Sequence, residues 1–298
     1  MFHMKHCGPL WYANSIIGFL GRQRQMTIKL VAFDMDGTFL NDENTYNHQR
    51  FAELLPKLRA RKIHVVAASG SQYQRLQTQF QEFQDHMDFV SQNGAVVHSN
   101  GQPLKVTAMP ADAVAATLDV IQQKFTADEI AEHIVVGFKS AYVDQRISQG
   151  AYDLTHRYYG HLQRVADLPT VTPTRLNDQI TSIGITFQPH VDFTHVMTTL
   201  RHSLPAELAS QTSGYNTELI SESSVNKAAG LRQLQDKYQI ADDEIMTFGD
   251  NENDLSMLQL TPYGYAVENA TPTVKAQVGH FTQTNNDEGV LNVLSTLV

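Results

Sequence analysis

The chain contains an apolar stretch that ends abruptly in two carboxylates. Residues 31–40 read V-A-F-D-M-D-G-T-F-L, and the nearly continuous apolar run over 28–34 predicts a strand that is covered on both faces. A buried strand normally ends in turn residues, and two carboxylates a single residue apart repel each other unless a cation or a shared proton offsets the repulsion. Asp34 and Asp36 therefore predict a metal site and a nucleophile at the end of this strand.

Strand and helix patterns alternate after this point. The predicted elements are, in order, a helix over 47–62, a buried strand over 64–69, a helix over 72–83 and a strand over 89–92. This order predicts a doubly wound, mainly parallel α/β sheet with right-handed crossovers. Ligands of such sheets bind beyond the carboxyl ends of the strands, which is where Asp34 and Ser69 lie.

The regular alternation of strands and helices is interrupted over residues 98–221. Close-set strands and helix-plus-strands units, with a helix over about 151–163, predict an inserted α+β domain with a mainly antiparallel sheet. We therefore expect the catalytic core to comprise residues 26–97 and 222–298. Residues 1–25 predict an N-terminal extension with little structure, the alternative being a segment that binds an interface or a partner.

The composition limits the classes of partner. The chain has 22 basic and 31 acidic residues and a formal charge of −9, which argues against nucleic acid or an anionic membrane as a partner. One local cation and a metal could still bind a small phosphorylated metabolite. The single cysteine, Cys7, fits a reducing, cytoplasmic setting, and no stretch approaches the ~20 apolar residues of a membrane span. The oligomeric state stays unknown.

Further polar clusters lie at the ends of predicted core strands or at the start of a helix. They are Ser69-Gly70, Lys227 and Gly249-Asp250-Asn251-Glu252-Asn253-Asp254. Each one alone is typical of ordinary structure, as a strand exit, a solvated lysine or a helix N-cap. Their occurrence together, at equivalent strand ends, indicates a shared site.

These motifs resemble those of a known family. The string F-D-M-D-G-T at 33–38, with Ser69, Lys227 and G-D-N-E-N-D at 249–254, resembles the haloacid dehalogenase superfamily of phosphotransferases. The long insertion resembles the Cof-type (subclass IIB) branch, in which a C2B-type cap domain is inserted into a Rossmann-like core. The resemblance covers residues 27–298. It implies a Mg²⁺-dependent phosphatase of a sugar phosphate, a nucleotide or a phosphorylated cofactor, working through an aspartyl-phosphate intermediate.

The resemblance also implies three catalytic residues. Asp34 would be the nucleophile that attacks phosphorus. Asp36 would protonate the leaving oxygen as a general acid and then activate water as a base. Lys227 would neutralise charge on the nucleophile and on the phosphoryl group.

The remaining matched residues would bind the phosphoryl group and the metal. The phosphate-binding residues implied are Thr38, Ser69, Gly70 and Asn253. The residues implied for Mg²⁺, which prefers hard oxygen ligands, are Asp34, Asp36 through its backbone carbonyl, Asp250 and, through the waters that it orients, Asp254.

One position departs from the family pattern. Many Cof-type members have an arginine directly after the Ser/Thr-Gly of the second motif, whereas this chain has Ser71 after Gly70. A cation that could touch the substrate is therefore missing at that position.

Two alternative functions stay open at this point. A phosphomutase would use the same residues to return the phosphoryl group to a second hydroxyl of a sugar phosphate. A regulatory binding module would keep the fold without catalysis, but this predicts damage to the nucleophile, the acid/base, the lysine or the metal aspartate, and all four are present.

Overall fold

The computed structural model describes residues 27–213 and 216–298, so the extension predicted over residues 1–25 lies outside the described residues. Within these ranges the chain forms an eight-stranded core sheet and a six-stranded sheet of an inserted domain, which we call the cap. Helices accompany both sheets, and the predicted mixed α/β class is confirmed.

The core sheet is built from elements at both ends of the chain. Its strands are β1 (Leu30–Phe33), β2 (His64–Ala68), β3 (Asp88–Ser91), β4 (Val96–Ser99), β5 (Gln102–Val106), β12 (Ile245–Gly249), β13 (Tyr263–Val267) and β14 (His280–Thr282). Its helices are α1 (His48–Ala60), α2 (Tyr73–Gln79), α7 (Lys227–Tyr238), α8 (Leu255–Leu258), α9 (Pro272–Lys275) and α10 (Gly289–Ser295).

The strand order of the core sheet is β14-β13-β12-β1-β2-β3-β4-β5. All neighbours from β14 to β3 are parallel, and β4 and β5 add an antiparallel hairpin at one edge. The chain leaves β1 toward β2 and later returns on the other side of β1 as β12. The carboxyl end of β1 therefore lies at the point where the strand order reverses, which is the usual ligand position in such sheets.

Helices cover the core sheet on both faces. Val31 and Phe33 of β1 belong to an apolar cluster with α1, α2 and α10, whereas Leu30 and Ala32 belong to a second cluster with α7 and α8. All four side chains are fully buried, as the continuous apolar run of this strand predicted. The doubly wound arrangement is confirmed.

The cap has its own sheet and its own apolar core. Its strands are β6 (Ile130–Gly137), β7 (Ala141–Asp144), β8 (Leu162–Val165), β9 (Ile180–Phe187), β10 (Leu208–Thr212) and β11 (Thr217–Glu222), in the order β10-β11-β9-β6-β7-β8. Its helices are α3 (Ala111–Lys124), α4 (Gln149–His156), α5 (Pro173–Leu176) and α6 (Phe193–Ser203). All strand pairs are antiparallel except β7 with β8, and α3 and α6 pack on one face.

Two details of the cap differ from the sequence prediction. The helix predicted over 151–163 is wrong in extent, because α4 ends at His156 and Leu162 begins β8, which pairs with β7. The predicted boundary between residues 97 and 98 falls inside β4. Because the β4–β5 hairpin pairs with the core sheet, we propose that the inserted domain begins after Val106.

A close backbone approach fixes the start of α7. Gly94 has φ +103°, and a Cβ at this position would lie 2.1 Å from the backbone oxygen of Asn226. Asn226 is the N-cap of α7 and accepts a hydrogen bond from the backbone N–H of Ala229. Because Lys227 is the next residue, the bare backbone at Gly94 helps to determine where this lysine enters the core.

Gly94→Ala should therefore destabilise the fold more than Gly101→Ala. Both glycines have positive φ, so both alanines carry about 1–2 kcal/mol of backbone strain. A Cβ at 101 meets no atom closer than 3.7 Å, whereas the overlap at 94 should cost about 1–3 kcal/mol more in the free energy of unfolding, measured by urea denaturation. Equal losses in the two variants would contradict the close approach.

Candidate active site

Polar residues follow four core strands at one edge of the sheet. Asp34 follows β1, Ser69 follows β2 and Asp250 follows β12, as predicted. Asn93 lies two residues beyond β3 at the same edge. The topology therefore brings together side chains that are far apart in sequence.

Lys227 provides the buried positive charge of this site. It is fully buried, and its Nζ donates hydrogen bonds to Oδ1 of Asp34 and, at 2.5 Å, to Oδ1 of Asp254. The second oxygen of Asp254 accepts the backbone N–H groups of Asp250 at 3.0 Å and Asn251 at 3.1 Å. Asp254 therefore connects the lysine to the loop that presents Asp250.

Thr38 lies against the same loop. Its hydroxyl donates to Oδ1 of Asp250 at 2.7 Å and is buried, so this residue, which the sequence predicts to bind phosphate, holds the Asp250 carboxylate here. Gly37 has φ +80°, and a Cβ there would come within 2.7 Å of Asp250 Oδ2. Any other residue at position 37 would be strained by the positive φ and would displace the Asp250 carboxylate.

Three carboxylates form a group that could hold a metal ion. Among the described residues, Asp34, Asp250 and Asp254 each offer an oxygen, and these oxygens lie within 4.8 Å of one another. Three carboxylates and one ammonium leave a surplus of two negative charges. Hard oxygen donors with this surplus fit a divalent cation such as Mg²⁺. The side chain of Asp36 is not a member of the group.

The electrostatics of the group follow from its burial. Burial raises the pKa of Asp34 well above its ordinary value, with Asp254 and Asp250 adding to the rise and Lys227 opposing it. Burial, together with the charge of Asp254, raises the pKa of Asp250 to about 6. Burial also disfavours the charge of Lys227, but Asp254 and Asp34 raise the pKa of this lysine above its ordinary value. A cation among the carboxylates would favour an ionised Asp34.

The other residues predicted to bind phosphate, Ser69, Gly70 and Asn253, all lie next to Asn93. Ser69 is buried, and its hydroxyl accepts the backbone N–H of Ser71 at 3.1 Å. Gly70 and Asn93 line a cleft between the core and the cap. Asn253 donates from Nδ2 to Oδ1 of Asn93 at 3.2 Å. Asn253 and Gly70 are thus both next to Asn93.

Asn93 is a site residue that the sequence analysis missed. Its backbone has φ +54°, a left-handed conformation that asparagine tolerates better than most residues. The signal that could have identified it is its place beyond a buried strand, the same signal that identified Asp34 and Ser69.

Arg75 is the second residue that was missed. Its guanidinium donates two hydrogen bonds to the carboxylate of Asp36, at 2.6 and 2.7 Å. Because Arg75 lies in α2, beyond the position where the family arginine was expected, the local motif gave no signal for it.

Comparisons with known proteins identify the family of this chain. The family model for haloacid dehalogenase-like hydrolases matches residues 31–294. The chain is 33% identical over 273 residues to the 5-amino-6-(5-phospho-D-ribitylamino)uracil phosphatase YbjI of Escherichia coli K12, covering 92% of this chain and 97% of the relative. It is 25% identical over 270 residues to the phosphatase YitU of Bacillus subtilis 168, which bears the same substrate name, covering 89% and 96%.

A solved structure shows the same fold. SMU.1108c of Streptococcus mutans UA159 superposes with a TM-score of 0.81 and 27% identity, covering 91% of this chain and 98% of that one. The chain therefore belongs to the haloacid dehalogenase-like hydrolase family, and it is a phosphatase, as its motifs predicted. In the part of the chain that the structure describes, every helix is too short or too polar to cross a membrane.

Replacing Lys227 by methionine should destabilise the protein strongly. The change leaves Asp34 and Asp254 buried without their cation, and such a loss typically costs about 3–5 kcal/mol in the free energy of unfolding. Urea denaturation would measure it, with Arg232→Met as a control, since the exposed pair of Arg232 with Asp242 should contribute about 1 kcal/mol or less. Similar losses in both variants would refute the central position of Lys227.

Proposed function

We propose that this phosphatase hydrolyses phosphate monoesters of small metabolites through an aspartyl phosphate on Asp34. The observation that carries the proposal is the placement of the Asp34 carboxylate. It lies at the reversal of strand order, is paired with the buried Lys227, and is within 4.8 Å of two further carboxylates. A carboxylate held in this way is suited to nucleophilic attack on a phosphoryl group.

In the first step, Asp34 attacks phosphorus. A bond forms between its carboxylate oxygen and phosphorus, and the ester P–O bond breaks. The carboxyl proton of Asp36 passes to the leaving oxygen, which departs as an alcohol. The ammonium of Lys227 offsets the charge of the nucleophile and of the phosphoryl oxygens.

In the second step, water attacks the phosphorus of the aspartyl phosphate. Asp36 takes a proton from this water, the bond between Asp34 and phosphorus breaks, and inorganic phosphate leaves. Asp34 returns to a carboxylate and Asp36 to its protonated form, so the cycle is closed.

The carboxylate group fits Mg²⁺ as the cofactor. Asp34, Asp250 and the backbone carbonyl of Asp36 would hold the ion, and Asp254 would orient its waters. Bound there, Mg²⁺ would supply positive charge for the phosphoryl oxygens. Thr38 keeps the Asp250 carboxylate in place for this purpose.

The cleft above the site supports a polar, uncharged leaving group. Among the described residues, no charged side chain lines the cleft, and its lining is polar except for two apolar residues of the cap. The lining residues are Gly70, Gln92 and Asn93 on the core side and Tyr159, Ser182, Gln211, Ser221, Val136 and Leu219 on the cap side. Two relatives are named for 5-amino-6-(5-phospho-D-ribitylamino)uracil, whose ribityl hydroxyls and ring amides suit such a lining. We propose a phosphorylated polyol of this kind as the substrate.

Asp34→Asn should abolish the release of phosphate from p-nitrophenyl phosphate, because the amide lacks the nucleophilic oxygen charge. The circular dichroism spectrum should stay unchanged. Asp119→Asn, on the exposed side of α3, is the matched control and should keep full activity. Full activity in Asp34→Asn would sink the mechanism. With a sugar phosphate as the substrate of the unaltered enzyme, an isomeric sugar phosphate in place of free phosphate would identify a phosphomutase.

Activity should disappear with a chelator and return with Mg²⁺. Asp250→Asn removes one charged ligand and should raise the Mg²⁺ concentration for half-maximal activity by at least about 10-fold, because the loss of an outer-shell partner alone typically costs about 10–100-fold. Glu252→Gln, an exposed residue of the same loop, should leave that concentration unchanged. Full activity in the presence of the chelator would contradict the metal site.

A further inference from the structure

Arg75 joins three parts of the site. Its guanidinium forms a two-fold hydrogen bond with the carboxylate of Asp36, and its Nη1 also donates to the hydroxyl of Ser71 at 2.6 Å. The guanidinium carbon lies 5.6 Å from the ring centre of Tyr158, a residue of the cap. The side chain is nearly buried, with 11% of its surface exposed. Arg75 is therefore held by the core on one side and covered by the cap on the other.

The contact between Arg75 and Ser71 supplies the cation that is missing at position 71. Ser71 occupies the position where many Cof-type members have arginine, and here its hydroxyl accepts a hydrogen bond from Arg75. Ser71 lies directly before Gln72, the N-cap of α2, and Arg75 lies in the first turn of that helix. The cation thus comes from a position four residues later in the sequence.

The carboxylate of Asp36 needs a cationic partner that fixes its orientation. Its side chain is 43% exposed and is the acid and base of the proposed reaction, yet Lys227 pairs with Asp34 and Asp254 instead. A free carboxylate would sample several rotamers, whereas the planar guanidinium fork selects one orientation. Arg75 donates to both oxygens of Asp36. When Asp36 carries its proton, one oxygen keeps the hydrogen bond from Arg75, and the other exchanges its bond from Arg75 for one to the leaving group.

We propose that Arg75 is a positioning residue that orients Asp36 for proton transfer to the leaving group, an inference that rests on the proposed function. Arg75 acts through Asp36 and makes no bond to phosphorus. The neighbouring Gln74 donates to the backbone oxygen of Phe138 in the cap at 3.5 Å, and Tyr158 covers the guanidinium. The position of Asp36 is thereby coupled to the seating of the cap.

The test compares two leaving groups. The alkoxide of ribose 5-phosphate needs a proton as it leaves, whereas p-nitrophenolate does not. The kcat/KM value includes only the steps up to loss of the leaving group, so it isolates the acid role of Asp36. Asp36→Asn should lower kcat/KM for ribose 5-phosphate by about 100-fold or more and affect p-nitrophenyl phosphate much less.

Arg75→Gln should show the same selectivity in weaker form. We expect a loss of about tenfold in kcat/KM for ribose 5-phosphate and less than about threefold for p-nitrophenyl phosphate. Arg75→Lys keeps the charge without the fork and should be intermediate. Arg232→Gln, which removes an exposed arginine of α7, should change neither value. In an Asp36→Asn background, Arg75→Gln should have no further effect on either substrate.

The contrary outcomes distinguish a failure of the inference on Arg75 from a failure of the proposed function. Equal losses for both substrates in Arg75→Gln, or a loss that persists without Asp36, would overturn the positioning role. If Asp36→Asn is selective and Arg75→Gln is not, only the inference on Arg75 fails. If Asp36→Asn leaves the hydrolysis of ribose 5-phosphate unchanged, the proposed function itself has the wrong acid.

Discussion

The buried contact of Lys227 with Asp34 and Asp254 is the interaction on which the rest of the site depends. Removing an ammonium from water costs several kcal/mol unless close carboxylates and hydrogen bonds replace its hydration. The fold supplies both, because two carboxylates flank the lysine and backbone N–H groups hold the second oxygen of Asp254. The approach of Gly94 to the start of α7 places the lysine at this depth. The packing of the core at the start of α7 therefore also determines where the buried charge of Lys227 lies in the site.

The same contact leaves the site short of positive charge. One lysine faces three carboxylates, of which Asp34 and Asp254 are buried and Asp250 is half-buried. Burial, together with the repulsion from neighbouring carboxylates, raises the pKa of Asp34 and of Asp250. A divalent cation would relieve this repulsion and would also attract a phosphoryl group, which brings further negative charge. Asp36 stands outside this group and pairs with Arg75 instead. This separation keeps the proposed acid and base, Asp36, apart from the carboxylates that could hold the cation.

Much of this architecture could be predicted from the sequence because the end of a buried strand is recognisable as an apolar run followed by polar residues. The buried run before Asp34 and the order of elements placed Asp34, Ser69 and Asp250 at one edge of a sheet, and the structure brings them there. Arg75 escaped prediction because its partner is 39 residues away, and a helical offset replaces the expected neighbour. The predicted domain boundary fell inside β4 because the β4–β5 hairpin could belong to the core sheet or to the cap sheet. Only its pairing with β3 at the edge of the core sheet decides between them, and local sequence does not show this pairing. The extent of α4 was misjudged because β8 gains its partner only from β7.

The central claim is that Asp34 carries the phosphoryl group during turnover. The direct test mixes the Asp36→Asn variant with p-nitrophenyl phosphate, quenches in acid and maps phosphorylated peptides by mass spectrometry. This variant keeps the nucleophile and lacks the group that activates water, so the intermediate should accumulate. We expect release of nitrophenolate close to one equivalent and one phosphoryl group on the peptide that contains Asp34. Release of nitrophenolate without a phosphorylated peptide, or a phosphoryl group on another residue, would contradict the account.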